Sequence, residues 1–194
     1  MERNHEIIAL FILAIFWGIS EILLGDLIRS YPLPVRGMFL TSLAVVFIIC
    51  TKELADFTGS VILLAVIAVI LKAVYYGTIQ HSALLAVLIQ GVLAEVIFYL
   101  VKDFKKASIS TAVILMLYTF GHGIIMHGFF WGTHIFTTYK NMFRDVFLLN
   151  TLSKLPLEMI LIVFGILNII VGFLLGILTV YLSKKLKKLL NLFI

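Results

Sequence analysis

Residues 157–183 read LEMILIVFGILNIIVGFLLGILTVYLS, with one charged residue, Glu158, in the whole run. At about 1.5 Å per helical residue this stretch is longer than the ~30 Å hydrocarbon core of a bilayer. No cluster of turn residues interrupts it. Five further apolar runs precede it, at residues 7–28, 37–51, 59–76, 82–101 and 108–131. The second is the shortest, and a tilt or break is expected at its start. Residues 132–156 are too polar to span and read as an interfacial segment anchored by Phe136, Tyr139 and Phe143. The pattern predicts an all-α polytopic membrane protein, a bundle of six transmembrane helices forming a single domain over residues 1–194.

Composition excludes the common alternatives. The chain is 62% hydrophobic and 13% charged, against roughly 45–50% and about 25% in soluble domains. An ordinary water-soluble enzyme, a disordered chain and a disulfide scaffold are thereby set aside. Cys50 is the only cysteine and has no intrachain partner. The first run is too long for a signal peptide, carries Glu21 and Asp26, and has no small-x-small site after it, so cleavage is not expected. The formal charge of +5 points to cytoplasmic loops meeting anionic lipid, and not to nucleic acid.

Orientation follows from the lysines and arginines. Nine lie on one side of the six runs: Arg3, Lys52, Lys102, Lys105, Lys106, Lys184, Lys185, Lys187 and Lys188. Six lie on the other: Arg29, Arg36, Lys72, Lys140, Arg144 and Lys154. The count predicts a multi-pass cell-membrane protein with both termini cytoplasmic.

Ionisable groups inside a span are costly, so each needs a reason. Glu21, Asp26 and Arg29 fall in the outer part of the first run, and Asp26 and Arg29 can pair locally at i,i+3. The stretch from Arg29 to Gly37 reads as a stiff outer loop, with Pro32 and Pro34 fixing the backbone between two arginines. Its guanidinium forks suit a carboxylate or phosphate; they equally suit lipid phosphates or Asp26. Lys72 can snorkel, neutralise Glu21 or touch a ligand. Gln90 shares a stripe with Ala83, Ala86 and Ala94, which fits an interhelical amide bond as well as a ligand contact. Glu95 lies roughly 20 Å from the outer end, and a structural pair near the cytoplasmic face is expected for it.

The fifth run ends in Gly121-His122-Gly123-Ile124-Ile125-Met126-His127-Gly128-Phe129-Phe130-Trp131-Gly132-Thr133-His134. His127, Trp131 and His134 share a helix face, but two histidines two turns apart cannot hold one metal ion from a straight helix. The stretch suits a hydrogen-bonding and stacking wall, interfacial anchoring or, with ligands from elsewhere, a metal. Glu21, Arg29, Arg36, Lys72, Gln90, His122, His127 and Trp131 are the candidate solute-binding residues; no resident metal or cofactor is assigned. Ala14 with Gly18, and Gly172 with Gly176, form small-xxx-small pairs that let backbones approach, within the bundle or against another subunit. No Walker motif, nucleophile elbow, Cys-x-x-Cys or His-Glu-x-x-His occurs, so an enzyme is not expected and any uphill transport draws its energy from elsewhere.

A chain of this length with six spans and both termini inside resembles the substrate-binding S components of energy-coupling factor (ECF) transporters. Ala14-x-x-x-Gly18 is similar to their first-helix docking motif, and Tyr31-Pro32-Leu33-Pro34-Val35-Arg36-Gly37 is similar to their first outer loop. The resemblance implies an outward-opening pocket drawing on Arg29, Arg36, Gln90, the stretch from His122 to His134 and Glu158. It implies uptake of a small solute such as a vitamin or cofactor precursor, with Ala14 and Gly18 docking on a transmembrane coupling subunit that works with ATPases. Cobalt and nickel members carry a histidine beside the starting methionine, where this chain has Glu2, so the resemblance points away from metal. A non-transporting membrane assembly or scaffold protein is the competing reading. Cysteine scanning tests the topology: labels near Lys105 and Lys187 are expected to be cytoplasmic, and near Pro34 and Asn141 external; the opposite pattern contradicts it.

Overall fold

The computed structural model describes residues 3–28, 33–77, 81–131, 137, 141 and 156–193. The chain is all-helical, with no strand among the described residues. Six main helices follow one another among the described residues: α1 (Arg3–Leu27), α2 (Leu33–Leu54), α3 (Ser60–Tyr76), α4 (His81–Leu100), α5 (Phe104–Trp131) and α6 (Leu157–Phe193). Five of them are long and apolar enough to cross a membrane; α3, with 17 residues, is shorter.

Three boundaries differ from those expected, each for a local reason. The segment read as a loop as far as Gly37 is helical from Leu33 onward. Pro34 does not oppose this, because a first-turn proline has no intrahelical N–H bond to lose. Arg36 is therefore a first-turn residue of α2 and not a loop residue. Helix α5 starts four residues before its apolar run because the Asp103 carboxylate accepts the Lys106 backbone N–H at 2.7 Å, an N-cap. Helix α6 runs to Phe193, well past Ser183. Lysine and leucine are good helix formers, so the basic tail continues the helix after the hydropathy falls.

The helices form a ring in the order α1, α3, α4, α5, α6, α2, with α2 also touching α3 and α5. Its core holds Trp17, Ala44, Ile48, Leu64 and Leu115, all without exposure. Small residues set the closest approaches. A Cβ at Gly172 would lie 2.8 Å from the Cα of Val113, and one at Gly176 the same distance from the Cα of Ile109. The α6 pair therefore brings α6 against the backbone of α5. The outside is apolar too: Phe16, Leu23, Ile70, Val96, Ile162 and Leu174 are all exposed. A soluble monomer rarely leaves so much apolar surface uncovered; in hydrocarbon the same surface carries no penalty.

Candidate functional site

Helices α1, α3 and α5 finish at the end of the bundle where α2, α4 and α6 begin. This is the Arg36 end; the opposite one is the lysine end. Gly18 decides how α1 meets α3. A Cβ there would lie 2.8 Å from Leu71 Cδ1 and 3.4 Å from the Cα of Ala68. The bare glycine lets α3 come in, and Glu21, one turn beyond, then faces Lys72, the residue after Leu71. Lys72 Nζ donates to Glu21 Oε2 at 2.9 Å, with the two residues 7% and 5% exposed. Lys72 thus neutralises Glu21 and does not snorkel. One turn further along both helices, Tyr76 Oη donates to Asp26 Oδ1 at 3.0 Å.

The same geometry corrects the docking assignment. Ala14 is fully buried and Gly18 is buried against α3. The stripe is filled from within the chain and is not an open face for a coupling subunit.

Arg36 is half-buried on the α1 side of α2. Its Nη2 lies 3.8 Å from where a Gly25 Cβ would stand. With Leu27, Ile28, Val35 and Phe39 it lines an open depression of about 520 Å³. Among the described residues no carboxylate is ion-paired with it. Arg29, its expected companion, lies outside the described residues.

Gln90 sits elsewhere. Its Nε2 donates to Thr41 Oγ1 at 3.1 Å and to Thr119 Oγ1 at 3.0 Å. The two hydroxyls are 2.7 Å apart and share a further hydrogen bond. This triad ties α4, α2 and α5 together deep in an apolar bundle, where an unmade amide bond would be expensive. Both amide hydrogens are spent on interhelical bonds. Thr41 and Arg36 are five residues apart, about 140° around α2, so Gln90 and Arg36 lie on different sides of that helix.

On α5, His122 Nδ1 lies 3.4 Å from Tyr118 Oη, with ring centroids 5.5 Å apart. Helix α5 continues to Trp131, so His127 and Trp131 are helical. Their side chains lie outside the described residues, as does His134. No group of three His, Cys, Asp or Glu side chains able to hold a metal occurs among the described residues. Among the described residues the expected site residues thus stand as a closed Glu21–Lys72 pair, Arg36 on its depression, the Gln90 triad beyond α2, and His122 beside Tyr118 on α5.

At the lysine end, Glu95 makes the structural contacts expected of it and more. Its Oε1 accepts Gly59 N–H at 2.9 Å and Lys52 Nζ at 3.4 Å, and its Oε2 accepts Val61 N–H at 3.0 Å. A carboxylate from α4 thereby caps the N-terminus of α3, where the helix dipole favours negative charge. Gly59 adopts φ +89° to present its N–H, a conformation only glycine takes freely. Lys52 was not foreseen as the partner; its Nζ also donates to the Phe57 carbonyl at 3.2 Å.

Comparison with family models, curated proteins and solved structures finds no match to this chain.

The buried pair generates a test. Lys72→Met alone is expected to destabilise the protein by about 3–5 kcal/mol, because it strands the Glu21 charge. Adding Glu21→Leu is expected to restore most of that loss, read as unfolding in detergent micelles. Equal destabilisation by the single and double variants contradicts a neutralising role for Lys72.

Proposed function

We propose that this chain is a six-span integral membrane protein, both termini cytoplasmic, that captures a small anionic solute at its Arg36 end and hands it inward with separate energising subunits. Helix α3 is the short span. Its 17 residues cover about 25 Å, a mismatch that local bilayer thinning accommodates at modest cost.

The observation that carries the solute reading is Arg36. Lys72 is spent on Glu21 and Lys52 on Glu95. Arg36 instead lines an open depression whose other described walls are apolar. A planar cation beside apolar side chains suits a solute with a carboxylate or phosphate on an apolar or aromatic body, which fits the vitamin or cofactor-precursor class. Gln90 contributes to the bundle and not to this mouth. The energising partners, a transmembrane coupling subunit and ATPases, belong to the proposal because the sequence has no nucleotide-binding motif of its own. Their docking face is not the Ala14–Gly18 stripe.

A non-transporting assembly or scaffold protein is the second reading. It is favoured by the internal neutralisation of both buried carboxylates, Glu21 and Glu95, which leaves the bundle centre with no free charge among the described residues.

Affinity purification separates them: recovery of a coupling subunit with ATPases supports uptake, and recovery of the subunits of an unrelated complex supports assembly. For the site itself, mass spectrometry of the purified protein is expected to find a retained organic anion. Arg36→Ala is expected to weaken its binding by about 1.5–3 kcal/mol without changing the melting temperature. Unchanged affinity removes Arg36 from the site.

A further inference from the structure

Helix α6 has 37 residues, about 55 Å of helix against ~30 Å of hydrocarbon. Lys184 lies about 40 Å from the Leu157 start, at the depth of a headgroup layer and beyond the apolar core. Lys184, Lys185 and Lys188 are all exposed there.

The α5–α6 register brings a second basic segment to the same level. Gly172 abuts Val113 and Gly176 abuts Ile109, so α6 advances four residues as α5 retreats four. Continued at that pitch, Ser183 stands level with Lys102. Lys102 on the α4–α5 turn and Lys105 and Lys106 in the first turn of α5 are exposed as well. Among the described residues none of these six lysines is ion-paired. Two other lysines at this end are: Lys52 with Glu95 at 3.4 Å, and Lys187 with Glu53 at 3.2 Å. Asp103, the nearest acid in sequence, has its carboxylate on the Lys106 backbone N–H.

Two exposed tyrosines mark the level. Tyr99 is 65% exposed and Tyr181 66%, as in the aromatic belts at membrane–water boundaries. Lys102 Nζ sits 4.9 Å from the Tyr99 ring centroid, which draws that ammonium toward the boundary. Leu189 is exposed beside Lys188, so the tail offers apolar contact together with charge.

We propose that this end of the bundle is a docking surface for the headgroups of anionic phospholipid, with Lys184, Lys185 and Lys188 of α6, Lys102 of the α4–α5 turn and Lys105 and Lys106 of the first turn of α5 as its cations. The surface rests on the chain lying in a bilayer and not on solute capture. Lys187 and Glu53 hold the tail against α2, so Lys184, Lys185 and Lys188 meet the headgroup layer from a fixed helix. Each lysine near an anionic surface is worth about fivefold in affinity.

The test uses the full chain in a neutral detergent, titrated with dioleoylphosphatidylglycerol or with dioleoylphosphatidylcholine, the bound lipid being counted by native mass spectrometry. Phosphatidylglycerol is expected to bind more tightly by about tenfold or more, with the preference shrinking as salt is raised. The triple variant Lys184→Gln, Lys185→Gln, Lys188→Gln is expected to lose the preference. Equal affinity for the two lipids overturns the proposal, as does an undiminished preference in the variant. Displacement of the lipid by millimolar inorganic phosphate also overturns it, making the surface a site for a free anion. Should the variant not fold, the lipid and salt comparison on the unaltered chain still decides. Extraction of the chain without detergent would contradict the membrane reading itself, before any titration.

Discussion

A carboxylate inside an apolar bundle must be neutralised and hydrogen-bonded or it destabilises the fold, and the two buried carboxylates among the described residues are both spent on α3. Glu95 of α4 binds two backbone N–H groups at the N-terminus of α3, and Glu21 of α1 binds Lys72 near its other end. Helix α3 is the shortest of the six and has the least surface with which to hold itself in place. The two contacts supply what length does not. They also fix the neighbours of α3: a helix held by α1 at one end and α4 at the other lies between them, as it does in the ring.

Close backbone approach makes this possible. Gly18 lets α3 settle on α1 so that Glu21 and Lys72 meet; Gly172 and Gly176 do the same for α6 on α5. Helix α2 then lies against four others and divides the polar groups. The Gln90 triad falls on one side of it, and Arg36 with its depression on the other. Charge is spent inside the bundle wherever a carboxylate is buried, and remains available at its two ends. Among the described residues, Arg36 at one end and the exposed lysines at the other are groups left to meet something outside the chain.

Much of this was legible in residue order. The spans at 59–76 and 82–101 match α3 and α4 to within a residue, because glycines and polar residues punctuate both ends. The structural role of Glu95 followed from its depth, and the interhelical bond of Gln90 from its alanine stripe. Other features were not legible, for physical reasons. Ala14 and Gly18 carry the same signature whether the neighbouring backbone belongs to this chain or to a partner, and the structure places α3 there. The partner of Lys72 depends on how α1 lies on α3, and no local pattern encodes that. The resemblance groups Gln90 with Arg36, whereas their sides of α2 depend on the helical phase around Gly37 and Thr41. The lysine-rich end of α6 was cut at Ser183 because hydropathy stops there while helix propensity does not. His127, Trp131 and Arg29 lie where the structure gives no side-chain description, so their assignment stands as read from the sequence.

The fold depends most on α3 being fixed by its neighbours' carboxylates, and hydrogen exchange in the protein and in Glu95→Ala measures this directly. Exchange at Gly59, Ser60 and Val61 is expected to rise by about tenfold or more in the variant, as for a lost hydrogen bond to a charged group, while residues 70–76, held from Glu21, keep their protection. Unchanged exchange around Gly59 would mean that α3 is held by apolar packing alone, and would contradict the central role given to the two buried carboxylates.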